Sequence, residues 1–343
     1  MTDTIPQDRN LGTARPVGPE PAAVSSGPRN ARGVFARYGV IVAMVITFVA
    51  FSLLRPDSFF TLFMMKAILR DCAPLLIVSL GVTFVLVMND YDLSVGGIVA
   101  LVATVAVMFV STPYLGLPVW AGVGLALVAG LAFGGLNGVL IAYAGLPSFI
   151  LTIAMATVFA GISLHLTNSG SIYDGIPDTY NAIAGGTTFG LSNQVYWAVG
   201  ALVATHLLLN HTEPGRYMYA IGGNPEAARL SGVPVRFLKA LGFALVGLTA
   251  AITAVLLTSQ ANAANPNTGL GLLLPAYAAA FLGSSMFRFG SFSALGTALG
   301  ALYLQIIGSG LTVLNLSGPL VQIIQGAILA AAILLARLNR EGR

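Results

Sequence analysis

Charge is scarce in this sequence. Asp, Glu, Lys and Arg make up 8% of its 343 residues, and long stretches have none. No charged residue falls between Leu93 and Tyr173, and from Lys239 to Arg337 the sole interior charge is Arg288. A water-soluble domain needs charged surface on every side, so these stretches exclude that class. Only hydrocarbon, or other apolar helices within it, solvates them. Cysteine is almost missing as well: Cys72 stands alone, which excludes an intrachain disulfide. There are two lysines, Lys66 and Lys239, and neither belongs to a Gly-x-x-x-x-Gly-Lys-Ser/Thr phosphate loop. The chain also lacks a Cys/His cluster of metal spacing and a Gly-x-Ser-x-Gly elbow, so no catalytic residue and no metal ligand is expected.

What is present is apolar. Hydrophobic residues reach 56% and mean hydropathy is +0.86. The 40 glycines lie mostly inside apolar runs rather than in low-complexity segments. Gly130-x-x-x-Gly134-x-x-x-Gly138 and Gly296-x-x-x-Gly300 set small residues about one helical turn apart, which lets helices approach closely in lipid. Apolar windows of spanning length predict an all-α polytopic membrane protein with ten helices. They fall near 38–54, 73–89, 95–112, 119–143, 148–167, 195–210, 240–258, 272–287, 291–311 and 319–336.

Charge location orients these spans. Residues 1–37 are rich in Pro, Gly, Ser and Arg without apolar periodicity, and read as a disordered cytoplasmic tail. The tail is too long and mixed for a signal peptide, so Val40–Leu54 reads as an uncleaved first span. With Arg9, Arg15, Arg29, Arg32 and Arg37 inside, the transmembrane domain is 38–336. The loop 168–194, with Asp174 and Asp178, is then periplasmic. The loop 211–239 is cytoplasmic with Arg216, Arg229, Arg236 and Lys239, as are Arg288 and the C-terminal segment 337–343. Segment 55–72 fits least well. It is placed outside yet holds Arg55, Lys66 and Arg70, and Thr61–Arg70 reads as an interfacial or half-inserted helix. The basic excess sits at membrane edges, so nucleic acid is not an expected partner, whereas lipid is.

The cytoplasmic loop has local structure of its own. Asn224 is a good N-cap, Pro225 a good first residue, and Glu226 complements a helix N-terminus. Ala227, Ala228, Arg229 and Leu230 favour helix, and Gly232 with Pro234 ends it. A connector needs no such helix, and a small flat Ala face suits docking into a groove on another protein.

Four stretches together resemble the permeases of ribose-type sugar importers. They are Gly215 through Gly232-Val, Asp92-Leu-Ser-Val-Gly-Gly, Leu146-Pro-Ser-Phe-Ile-Leu-Thr152, and Asn267-Thr-Gly-Leu-Gly through Phe281-Leu-Gly to Gly296-Thr-Ala-Leu-Gly-Ala. They occur in order over roughly residues 38 to 336. The resemblance implies a subunit that moves a pentose, hexose or related polyol through the inner membrane. It also implies a separate ATPase that binds ATP and Mg, a periplasmic sugar-binding protein, and a permease homodimer or heterodimer. Helices two to five and seven to ten enter with opposite orientation, which allows the inverted repeat that the resemblance implies. By the same resemblance Arg216, Asn224, Glu226, Ala227, Ala228, Arg229 and Gly232 couple to the ATPase. The chain departs from the family at Asn89-Asp90-Tyr91, where small apolar residues are usual.

Asp90 and Asp92 lie where the second helix should end. Two readings compete for Asp92 and Ser94: caps for the next helix, or part of a break lining the transport path, with Gly96 and Gly97 allowing close approach. Other polar candidates for the path are Asn137, Thr152 and Gln305, each also suited to a structural bond between helices. Asn262 and Asn267 fall on the outer side, where a binding protein would dock. His165 and His206 have no acidic neighbour in their spans and read as structural. The alternatives are a permease for branched-chain amino acids or an ion-coupled secondary transporter.

The topology is directly testable. A cytoplasmic reporter fused after Arg343 and a periplasmic reporter inserted near Gly186 should both be active. Inactivity of the second overturns the ten-span arrangement.

Overall fold

A computed structural model of the chain describes Thr2, residues 31–285 and residues 291–327, with side chains of the first helix from Gly39 onward. In chain order the helices are α1 (Ala31–Leu54), α2 (Pro56–Phe59), α3 (Leu62–Val87), α4 (Val95–Val110), α5 (Val119–Ala144), α6 (Ser148–Leu166) and α7 (Asp178–Gly185). They continue as α8 (Asn193–His211), α9 (Glu213–Gly223), α10 (Pro225–Leu230), α11 (Val235–Ala261), α12 (Leu273–Ser284) and α13 (Ala294–Val313). A further helix, α14, covers residues 318–327. Between α7 and α8, β1 (Thr187–Thr188) and β2 (Leu191–Ser192) pair as a minimal hairpin.

The chain is an all-α polytopic membrane protein. Helices α3, α5, α6, α11 and α13 are long and apolar enough to cross a bilayer, and Gly39–Leu54, Val95–Val110 and Leu270–Ser284 are shorter apolar helices. Of the predicted tail over residues 1–37, residue 1 and residues 3–30 lie outside the described residues, as do Arg288, the end of the tenth span beyond residue 327, Arg337, Arg340 and Arg343.

Three boundaries differ from expectation. Helix α1 starts at Ala31, ahead of the predicted 38, because Ala31–Arg37 contains no helix breaker other than Gly33. Helix α3 starts at Leu62 instead of near 73. Arg70, Asp71 and Pro74 interrupt the apolar window without interrupting the helix, so most of segment 55–72 belongs to the second span. The Thr61 hydroxyl caps it by accepting from the Met64 N–H at 3.1 Å. The loop 211–239 holds two short helices rather than one. Thr212 caps α9 through the Gly215 N–H at 3.3 Å. Gly215, Met218 and Ile221 recur at helical spacing and are all buried against the bundle.

Helix α11 is the central post. It packs on α3, α4 and α5, while α13 packs on α3 and α12. Exchanging α3 for α11, α4 for α12 and α5 for α13 converts the pair α11–α5 into α3–α13, and α4–α5 into α12–α13. An inverted repeat has this pattern. The tightest seam is α5 on α11. A Cβ at Gly130 would lie 2.5 Å from the Gly247 carbonyl oxygen, and one at Gly138 would lie 2.6 Å from the Ala240 carbonyl oxygen. A Cβ at Gly134 would collide with the Phe243 carbonyl. On α13, a Cβ at Gly296 would lie 2.5 Å from the Gly283 carbonyl oxygen of α12.

Both α4 and α12 follow breaks that fold back into the bundle. The second break, 262–272, is pinned by an Ile172–Ala264 bridge and by the Ser163 hydroxyl, which donates to the Pro266 carbonyl at 3.4 Å. Its Gly269 takes a left-handed φ of 85° against Val99.

The seam predicts a graded glycine series. Gly134→Val places side-chain carbons on backbone that cannot yield and should abolish a stable, monodisperse bundle in detergent. Gly161→Val on α6, where a Cβ meets nothing within 4 Å, should leave elution and melting temperature unchanged. Equal tolerance of both substitutions contradicts the seam.

Candidate functional site

Two polar constellations stand out in the bundle, and the first is buried. The Asp92 carboxylate accepts at Oδ1 from the Ser94 N–H at 2.8 Å and from the Ser94 hydroxyl at 2.5 Å. The Asn137 amide donates to Ser94 Oγ at 2.7 Å. The Leu93 N–H donates to Thr152 Oγ1 at 3.0 Å. The Tyr277 hydroxyl accepts from the Asp92 N–H at 2.7 Å and donates to the Asp92 carbonyl at 3.0 Å. Asp92, Ser94, Asn137 and Thr152 are all fully buried. The break before α4 is thereby bolted to α5, α6 and α12. Asp92 does act on the start of α4, but through a turn onto Ser94, and the Ser94 side chain donates to Asp92 instead of capping α4 amides. Asp92 Oδ2 and Asn137 Oδ1 have no hydrogen-bond partner among the described residues.

Gly96 and Gly97 serve close approach. A Cβ at Gly97 would fall 2.6 Å from the Ala156 carbonyl oxygen of α6, and one at Gly96 would fall 3.3 Å from the Gly269 carbonyl oxygen of the second break. Gln305 joins neither constellation. It donates to Ser309 one turn along α13, at 3.2 Å. Tyr277 was missed in the sequence. The one available signal is a lone hydroxyl-bearing aromatic among Ala276, Ala278, Ala279 and Ala280.

The second constellation closes the α9–α10 end. Helix α3 ends with Asn89 in a left-handed conformation, φ 59°, and the Asp90 N–H donates to the Val85 carbonyl at 3.0 Å. That is a Schellman closure with Asn where Gly is usual. The Asn89 amide donates to the Gly222 carbonyl of α9 at 2.5 Å. Asp90 forms an ion pair with Lys239 of α11 at 2.8 Å, with side chains 11% and 23% exposed. Asn89 and Asp90 therefore tie the first break to the middle of the loop 211–239, at the end of α9, and to its last residue, Lys239.

Helix α10 forms as expected. Asn224 Oδ1 accepts from the N–H groups of Glu226 and Ala227, each at 3.0 Å. Glu226 and Arg229 pair at 2.6 Å on its exposed side. The Arg229 hydrogen bond and charge hold the Glu226 carboxyl below its ordinary range, and Glu226 raises the Arg229 guanidinium in return. Gly232 ends the turn with φ 85°. Arg216 is exposed on α9.

The expected flat Ala face is corrected on one point. Ala228 turns inward, 6% exposed, onto Met218, Ile221 and Leu209, because α10 must cover α9 to bury its own apolar side. The outward face carries Ala227 and also Leu230, which is 77% exposed. At the opposite end Asn262 closes α11 in a left-handed conformation, φ 48°, and Asn267 donates its backbone N–H to Asn265. Both are exposed.

Residues 64–333 match the family described as branched-chain amino acid transport system, permease component. The chain belongs to this permease family. Among its relatives, the ribose import permease protein of Escherichia coli strain K12 is 32% identical over 298 residues, 86% of this chain and 91% of that one. The ribose import permease protein of Haemophilus influenzae is 31% identical over 296 residues, 85% and 90% of the two chains. The L-arabinose transport system permease protein of E. coli K12 is 30% identical over 312 residues, 90% and 93%. Like them, this permease is a transport subunit rather than an enzyme.

The Asp90–Lys239 pair makes a charge test possible. Asp90→Asn leaves Lys239 half-buried without a counter-charge and should lower stability by about 1–3 kcal/mol. The reversal Asp90→Lys with Lys239→Asp should recover most of that loss in detergent thermal melts. A reversal no better than the single change contradicts a working pair.

Proposed function

We propose that this permease is the membrane-spanning subunit of an ATP-driven importer for a monosaccharide: a pentose, hexose or related polyol. The ribose and arabinose names of its relatives support the substrate class. The observation that carries the mechanism is α10, a capped helix that leaves Ala227 and Leu230 facing outward beside the Glu226–Arg229 pair. On this reading the α9–α10 end and both termini are cytoplasmic, and residues 168–194 are periplasmic. A partner ATPase binds ATP and Mg and seats α10 in a groove. A sugar-binding protein docks at the other end, near Asn262 and Asn267. Two permeases, identical or not, enclose the path.

The chain's own residues supply movement without bond chemistry. Closure of the ATPase pushes α10, and α10 bears on α9 through Ala228. Helix α9 holds Asn89 through Gly222, and Lys239 holds Asp90. Two residues on, Asp92 is clamped to Tyr277 of α12. A displacement at α10 thus reaches the first break and, through Tyr277, the helix α12 that follows the second, which is where alternating access requires motion. Asp90, Asp92, Ser94, Gly96, Gly97, Asn137 and Thr152 act here as the hinge of the path rather than as its open wall, and Gln305 lies apart on α13. An ion-coupled carrier would need a carboxylate open to its ion, whereas Asp90 is paired with Lys239, and Asp92, whose Oδ2 has no partner among the described residues, is fully buried. The family description favours one second reading, a permease for branched-chain amino acids. A ligand-binding assay on the partner binding protein separates the two.

Docking is tested at α10. Ala227→Trp adds bulk to the outward face. Gly232→Val strains a left-handed turn by roughly 1 kcal/mol or more. Each should leave membrane levels normal and cut uptake by about tenfold or more, the loss that about 1.4 kcal/mol of docking energy produces. Ala228→Trp, aimed into the bundle, should instead reduce the amount of folded protein. Near-normal uptake in both outward-facing variants makes α10 an ordinary connector.

A further inference from the structure

The end opposite α10 holds a cavity of about 460 Å³ that the transport mechanism does not use. It lies between the first turns of α3, helix α7 and the β1–β2 hairpin, and Lys66, Arg70, Asn181, Ser192 and Gln194 line it. Gln194 is fully buried there, and neither its Nε2 nor its Oε1 has a hydrogen-bond partner among the described residues. A buried amide without a partner is costly, so its presence against a cavity points to an occupant.

The lining defines that occupant's chemistry. Lys66 forms no ion pair among the described residues, and its ammonium lies over Gly190, 3.3 Å from where a Cβ there would stand. Arg70 is engaged by Asp71 at 2.7 Å, and Asp71 is the acidic group beside the site. The balance is one uncompensated positive charge, which fits a monoanion. The Gln194 amide both donates and accepts, so it pairs with a hydroxyl, and an acceptor-only phosphate oxygen would satisfy half of it. One turn deeper than Lys66 on α3 and than Gln194 on α8, Leu69 and Trp197 are 40% and 41% exposed, an apolar surface continuous with the membrane-spanning helices. A singly charged, hydroxyl-bearing head joined to an apolar body meets all three conditions.

We propose that this cavity seats the headgroup of an anionic phospholipid. The phosphodiester lies against Lys66 and Arg70, a head hydroxyl meets Gln194, and the acyl chains run toward the bilayer centre past Leu69 and Trp197. The proposal is independent of the transport reading, because lipid retention is measured without substrate or ATP.

The test is lipid retention by the full-length permease, purified from mixed phosphatidylglycerol and phosphatidylcholine nanodiscs and read by native mass spectrometry. Phosphatidylglycerol should be retained about fivefold over phosphatidylcholine. Lys66→Gln should remove the preference, and Gln194→Leu, which replaces an orphaned amide by an apolar chain of similar size, should weaken it without lowering melting temperature. Equal retention of the two lipids overturns the proposal. A preference unchanged in both variants overturns it too, since the lipid then sits elsewhere. Displacement of the bound species by millimolar inorganic phosphate identifies a free-phosphate site and overturns the lipid assignment.

Discussion

Backbone contact between α5 and α11 is the constraint on which the rest of this bundle depends. Lipid tails are as apolar as leucine, so burying apolar surface does not hold helices together inside a membrane. Close approach does, through dispersion and through the exclusion of lipid from the seam. Gly130, Gly134 and Gly138 bring the α5 backbone against Gly247, Phe243 and Ala240 of α11. Once α11 is fixed, its neighbours α3 and α4 are fixed with it, and the breaks before α4 and α12 have a rigid wall to fold against.

Those breaks concentrate the polar chemistry. Each exposes backbone groups that hydrocarbon cannot satisfy, so side chains must do so. Tyr277 both accepts from and donates to the backbone of Asp92, and Thr152 takes the Leu93 N–H. The first break is therefore held by α6 and α12 at once, and a relative shift of these helices cannot leave it in place. A rigid scaffold with two pinned but non-helical joints suits rocking between two arrangements better than gradual deformation. The Asp90–Lys239 pair adds a second hold at the edge of the bundle, where partial water exposure keeps the cost of charge burial modest.

Much of this was legible in the sequence. The absence of charge over 94–172 and 240–287 placed the spans, and both glycine repeats marked real seams. Asn224 and Gly232 announced the ends of α10 because capping is a local matter of two or three residues. What the sequence hid depends on tertiary packing. The start of α3 was obscured because Arg70 and Asp71 neutralise each other beside Pro74 without ending the helix. The inward turn of Ala228 depends on where α9 lies, and α9 has an amphipathic face too short to stand out against apolar surroundings. Tyr277 and Lys239 act across 185 and 149 residues of chain from Asp92 and Asp90, and spacing alone carries no trace of such pairs.

The central claim is that this chain moves its substrate by mechanical work delivered at α10. Reconstitution tests it most directly. The purified permease should be placed in proteoliposomes with its ATPase partner and loaded binding protein, and labelled monosaccharide uptake followed with ATP or with an imposed proton gradient as sole energy source. The account predicts accumulation with ATP, none with the gradient, and none when the ATPase is omitted. Gradient-driven accumulation by the permease alone contradicts it.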